Sequence, residues 1–235
     1  MSDAADGTGI HDLDLVPGPD EPPAGPWRDS SPADLLRDLV GDAGPARRRV
    51  LAVDGRSGSG KTTLARRLLA AHPAAALVST DDLAWHHSLF DWGGLAMDGV
   101  LLPFRRGGDV RFRPPAWDER ARPGAVTVPA SAWLLVLEGV GASQLALTGQ
   151  VDAAVWVQSD FATAARLGIA RDIASGVNGD AAQAAEFWRR WEVAEVGFLR
   201  TDRPWERADV VVAGTGSPAA AGLLVADAPR ARPGA

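Results

Sequence analysis

Cysteine is absent from this chain of 235 residues, which excludes disulfides and thiolate metal sites and fits a reducing cytoplasm. Tyrosine is absent too, so aromatic contacts fall to nine tryptophans and six phenylalanines. No apolar run approaches the roughly 20 residues that span a bilayer, and the acidic, Pro- and Gly-rich N-terminus has no apolar signal core. A long basic run is missing, and the formal net charge is −6. Neither nucleic acid nor an anionic membrane is therefore an expected partner, although a local basic pocket is compatible. Lysine is the scarcest charged residue: Lys61 stands alone, and every other one of the 24 Lys and Arg side chains is arginine. What is plentiful is apolar surface, 46% of residues, enough for one well-buried cytoplasmic domain.

Residues 1–30 lack periodicity and are expected to form a disordered extension. The domain is expected over 31–214, with 215–235 a tail holding at most one short helix, "PAAAGLLVADA". "SSPADLLRDLVGDAG" has the marks of a helix: Ser31 as cap, Pro32 in the first turn, Asp34 near the positive end, and Gly41 or Gly44 as the stop. From Arg49, short apolar runs ("RVLAVD", "AAALVST", "WLLVLEG", "VDAAVWVQ", "ADVVVAG") alternate with helical spacing, notably at about 160–175 and 180–199. That alternation predicts an α/β fold, a mostly parallel central sheet with helices on both faces. Functional groups in such sheets gather at the carboxyl ends of strands, where Asp54, Asp81 and Glu138 fall. Residues 84–131, rich in Gly, Pro, Arg and Trp, break the pattern and read as a functional insertion or a disordered segment.

Gly55-Arg56-Ser57-Gly58-Ser59-Gly60-Lys61-Thr62 fits G-x-x-x-x-G-K-[ST] and lies between a predicted strand and a predicted helix, where that motif must lie. Glycines let successive N–H groups turn towards an anion, and the following helix adds its positive end. Lys61 can place a compact charge between the β- and γ-phosphates of ATP, a place too narrow for a planar guanidinium. The Thr62 hydroxyl can ligate Mg²⁺, and Thr63 completes the expected nucleotide-contacting set. Glu138, at the end of an apolar strand and followed by glycine, suits a Mg²⁺ acid. Asp81 closes another strand, where a carboxylate can accept a proton from an attacking hydroxyl; Asp82 can do the same, or cap a helix. His86 and His87 have no third ligand at helical spacing and suit a pocket rim better than a metal.

In order, "DGRSGSGKTTLA", "VSTDD", "PPAWDERAR", "LLVLEGV", "ARLGIARDIASG" and "ADVVVAG" resemble the uridine kinase-like family of P-loop phosphotransferases, which includes phosphoribulokinase and bacterial pantothenate kinase. The resemblance covers about Arg49 to Gly214. It implies the P-loop three-layer fold, Asp81 as base, Glu138 as metal acid, and an insertion over the acceptor. It implies a lid at about 160–178 in which Arg171 and Arg166 neutralise charge on the transferring phosphoryl group, and an acceptor contact from Trp117 and Asp118, with Trp85 beside them. Gly168 departs from the family, standing where uridine kinases usually have a further arginine, and the missing tyrosines mean that the acceptor pocket is rebuilt. The expected activity is transfer of the ATP γ-phosphate, with Mg²⁺, to a hydroxyl of a small molecule, a nucleoside being favoured. Another hydroxylated metabolite is the rival acceptor. An ATP-binding switch acting on a partner is the rival class, which Asp81 and the arginine-bearing helix disfavour.

Overall fold

The structure is a computed structural model, and it describes residues 10–41, 44, 46–215 and 222–229. In chain order its strands are β1 (Ile10–His11), β2 (Trp27–Ser30), β3 (Arg49–Gly55), β4 (Ala75–Ser79), β5 (Val110–Phe112), β6 (Val126–Val128), β7 (Leu134–Glu138), β8 (Ala153–Gln158), β9 (Val210–Ala213) and β10 (Leu223–Asp227). The α-helices are α1 (Pro32–Val40), α2 (Lys61–Ala71), α3 (Thr80–Ala84), α4 (Gly93–Ala96), α5 (Leu102–Arg106), α6 (Pro115–Glu119), α7 (Phe161–Ser175) and α8 (Ala181–Asp202). The main sheet runs β1-β2-β10-β9-β8-β3-β7-β4. Its β9-β8-β3-β7-β4 half is parallel, and β10, β2 and β1 extend it antiparallel.

Period-two alternation along the central strands sends neighbours to opposite faces. Leu51, Val53, Leu134 and Val136 meet Leu35, Leu36, Leu64 and Leu68 of α1 and α2 on one face. Val50, Ala52, Leu135 and Leu137 meet Leu83, Trp92, Val100, Phe104 and Trp117 on the other. Trp156 and Val211 continue that second face, packing with Trp27, Leu199 and Trp205. Helices on both sides of β7 and β8, which are buried throughout, and of β3, buried from Val50 onward, make the three-layer P-loop arrangement that the sequence predicts. Helix α1 is capped as expected: the Ser31 hydroxyl accepts from the Asp34 amide, and Gly41 ends it at φ 61°. No helix among the described residues is long and apolar enough to cross a membrane.

Three expectations need correction. Residues 10–30 are not a free extension: β2 pairs with β10, Trp27 is buried, and Glu21 is buried beneath the strap they form. Between β1 and β2 the proline-rich chain is held by side-chain bonds around Glu21 and Gln158 rather than by a ladder, so no periodicity announces it; residues 1–9 lie outside the described set. The "LLVAD" of the expected C-terminal helix is instead β10, because Val225 and Leu223 are needed on the buried sheet face. The insertion 84–131 is not irregular: α4, a π-helical turn at Met97–Leu101, α5, α6 and the β5–β6 hairpin fold it onto the second sheet face.

Candidate active site

The glycine-rich loop joins β3 to α2 at the carboxyl edge of the sheet. Gly58 has φ +77°, and a Cβ there would lie 2.1 Å from the Ala164 carbonyl oxygen of α7, so no other residue fits. From outside the loop, Thr215 Oγ1 donates to Gly58 O (2.8 Å), and Ser159 Oγ and Thr215 N donate to Ser59 O (both 2.9 Å). With these carbonyls engaged, the inner side of the loop is left to its amides and to the start of α2. Lys61 is only 7% exposed, and its Nζ donates to Arg56 O at 2.8 Å.

Glu138, at the end of β7, is buried and accepts from the Thr62 hydroxyl at 3.2 Å. Burial pushes its carboxyl above the ordinary value and the nearby Asp81 charge adds to this, while Lys61, Thr62 and Arg66 oppose it. Close approach of β7 to α3 brings Asp81 in: a Cβ at Gly139 would lie 1.8 Å from Thr80 Oγ1, so only glycine follows Glu138. Asp81 is exposed in the first turn of α3, and its carboxylate has no hydrogen-bond or ion-pair partner among the described residues. Asp82 is engaged, paired with Arg122 at 2.6 Å. The Thr62 hydroxyl and the Glu138 and Asp81 carboxylates are hard oxygen donors of the kind Mg²⁺ takes, in the small number it needs beside phosphate and water.

Thr62, Thr63, Arg66, Gly168 and Arg171 line a cleft of about 380 Å³ with Lys61. A smaller cavity of about 200 Å³ opens from Gly60, Thr63 and Thr215 between α2 and β9. Arg171 thus lines the same cleft as Lys61, with its guanidinium paired to Asp172 at 2.8 Å. Arg166 is exposed near the start of α7, where it helps hold Asp160 below its ordinary pKa; hydrogen bonding to Thr163 is the larger cause. Gly168 has a packing reason, since a Cβ there would lie 2.2 Å from the Trp188 ring. The Trp188 indole N–H donates to buried Asp172 at 2.7 Å, fixing α8 against α7.

The insertion residues are placed differently from expectation. Trp117 is buried, donates Nε1–H to Asp82 O (2.9 Å), and carries the Arg122 guanidinium over its ring at 3.7 Å. Its expected role as an acceptor wall is corrected to a packing role. Asp118 pairs with Arg113 at 2.7 Å, and Trp85 lies against His86 and Arg122. His87 Nε2 contacts the Asp91 carbonyl at 3.0 Å.

Arg66 and Phe90 are additions to the residues expected from sequence, and Arg56 and Asp54, named there, acquire specific partners. Arg66 stands one helical turn beyond Thr62, a spacing that was visible in the sequence. Arg56 turns its guanidinium away from the cleft to buried Glu21 (3.0 Å) and Pro19 O (2.8 Å), so it offers the cleft its backbone alone. Asp54, fully buried at the end of β3, accepts from the amides of Gly55, Gly141 and Ser143 and from the Ser143 hydroxyl. Burial raises its pKa and those four donors oppose the rise. Asp54 thus ties the loop after Glu138 to the start of the phosphate loop. Phe90 of the insertion stacks on Phe198 of α8 (4.2 Å between centroids) and leans on Trp191 (5.5 Å).

No protein-family model matches the chain, and no curated protein matches it significantly in sequence. Solved structures do. A "Possible Uridine Kinase" from Bacillus stearothermophilus is 20% identical, with a TM-score of 0.47 over 77% of this chain and 96% of that one. A protein described as a fructose transport system kinase, from Silicibacter sp. TM1040, is 23% identical, with a TM-score of 0.44 over 74% of this chain and 93% of that one; both assignments are provisional. On its own sheet order and its own glycine loop, this chain has the P-loop α/β fold.

Proposed function

We propose that the chain is a P-loop kinase that transfers the γ-phosphate of ATP, with Mg²⁺, to a hydroxyl of a small molecule in the cytoplasm. The observation that carries this is the convergence, at the carboxyl ends of β3, β7 and β4, of Lys61, Thr62, Glu138 and an Asp81 whose carboxylate has no partner among the described residues. A nucleotide switch needs the first three and has no use for the fourth. Asp81 takes the proton from the acceptor hydroxyl as its oxygen bonds to phosphorus and the bond to the ADP oxygen breaks. Lys61, Arg66 and Arg171 balance the charge that spreads over the phosphoryl oxygens. Thr62 and Glu138 would hold the Mg²⁺, which would supply positive charge against the β- and γ-phosphates. The cavity beyond Gly60 and Thr63 suits the adenine.

For the acceptor, a nucleoside is favoured by the motif order. Its aromatic wall is the Phe90, Trp191 and Phe198 cluster, which adjoins Ser57 through Trp191 and Gly141 through Phe198. This replaces Trp117. The test is a panel of nucleosides, pantothenate and sugar phosphates incubated with ATP and Mg²⁺, with products read by mass spectrometry. A phosphorylated nucleoside is expected. A phosphorylated non-nucleoside alone retains the kinase and discards the nucleoside, and ATP binding with no product from a broad metabolite extract favours the switch.

A further inference from the structure

Glu195 sits on α8, 138 positions from Ser57 of the glycine loop, yet it is 3% exposed and accepts from the Ser57 amide at 2.7 Å. A buried carboxylate is costly unless its lone pairs are used. Here the Trp191 indole N–H is shared between Glu195 Oε1 (3.3 Å) and Ser57 Oγ (2.7 Å), so one turn of α8 grips both the amide and the side chain of Ser57. The Ser57 N–H belongs to the same peptide unit as the Arg56 carbonyl, and that carbonyl accepts from Lys61 Nζ at 2.8 Å. In a planar trans peptide the C=O and N–H point in opposite directions. Glu195 pulling the amide outward therefore holds the carbonyl inward, on the ammonium. Arg56 adds a second anchor through its guanidinium on buried Glu21.

We propose that Glu195 is a positioning residue for Lys61, acting through the Arg56–Ser57 peptide, with Trp191 holding the carboxylate in place. The effect on nucleotide rests on the phosphate-binding reading of the loop; the contact itself does not.

Lys61 is the only lysine in the chain, so protein labelled with ¹³C-lysine gives a single side-chain signal that reports on this residue alone. In the nucleotide-free protein, Glu195→Ala is expected to move the Lys61 Cε–Hε signal towards that of a free lysine. Glu195→Gln, which keeps an acceptor for the amide, should leave it near the wild-type position. Glu192→Ala, an exposed change three residues earlier on α8, is the control and should not move it. An unmoved signal in Glu195→Ala, or an equal movement in Glu192→Ala, overturns the proposal. Should Glu195→Ala fail to fold, Glu195→Asp, one methylene too short to keep the 2.7 Å contact, takes its place under the same criteria. ATP titration of the same proteins separates the two claims. The Ala variant is expected to bind about tenfold more weakly, the worth of one charge-assisted hydrogen bond. A wild-type protein that does not bind ATP at all sinks the functional reading while the lysine signal still decides the role of Glu195.

Discussion

The glycine loop and the 84–131 insertion flank the same edge of the sheet, and they spend their polar groups in opposite ways. Around the loop, outward-facing groups are bound from behind by Thr215, Ser159, Glu21 and Glu195, so that Lys61, Thr62 and Arg66 are left to face the cleft. In the insertion, these polar groups are consumed by one another or by the neighbouring α3: Arg113 with Asp118, Arg122 with the Asp82 carboxylate, the Trp117 N–H with the Asp82 carbonyl. A phosphate site is built largely of backbone, whose direction a short motif dictates. An acceptor site is built of side chains whose partners come from anywhere in the chain.

The contrast is broken most severely at Lys61. Lys61→Ala is expected to lower phosphoryl transfer by about 10²–10³-fold or more, and Lys61→Arg should not restore it, measured as ATP-dependent product formation. Near-normal turnover in Lys61→Arg would remove the steric argument for the lone lysine. Next come the two adjacent aspartates. Asp81→Asn should lose about 10²–10⁴-fold in transfer while ATP affinity, read by calorimetry, is kept. Asp82→Asn should instead leave transfer largely intact and lower the thermal midpoint, because its partner is Arg122. The reverse pattern assigns the base to Asp82.

A smaller effect is expected at the α7–α8 contact. Gly168→Ala puts a methyl into the Trp188 ring and should cost about 1–3 kcal/mol in urea unfolding. The smallest is electrostatic. Burial, reinforced by Asp81, raises the Glu138 pKa in the folded state, so the stability tied to this group is present below its unfolded pKa and is lost as pH rises through the folded one. Glu138→Gln should therefore be at least as stable as the parent at neutral pH, with the difference shrinking at mildly acidic pH, while needing more Mg²⁺ for transfer. A neutral-pH loss of stability in Glu138→Gln would mean that the Thr62 bond outweighs the burial cost.

Much of the fold was legible because its signals are local. Apolar runs of strand length, the Ser31 cap and the G-x-x-x-x-G-K-T spacing each need only a few neighbouring residues. The strap at 10–30 was not, because Glu21 makes sense only with Arg56, Trp156 and Gln158 around it. Glu195 was hidden for the same reason, as one acid among several on an amphipathic helix. Trp117 misled in the other direction: its place in a motif suggested a ligand contact, while the nearby Arg122 and Asp82 had already claimed it.

The order of the sheet also sets an order of assembly. β10 lies between β9 and β2, so β2 has no edge to join until residues 223–227 have been synthesised and docked. Glu21, which precedes β2, has no such dependence, since its partners Arg56, Trp156 and Gln158 all belong to the body made earlier. On a ribosome, the strand-and-helix body from β3 to β9 can collapse, with Thr215, Ser159 and Glu195 already on the glycine loop, while β2 still has no strand to pair with on that side of the sheet. A nascent chain stalled before residue 223 should thus hold a formed parallel sheet with β2 unpaired on its β10 side, and protease sensitivity confined to the segment around Trp27–Ser30 would report it.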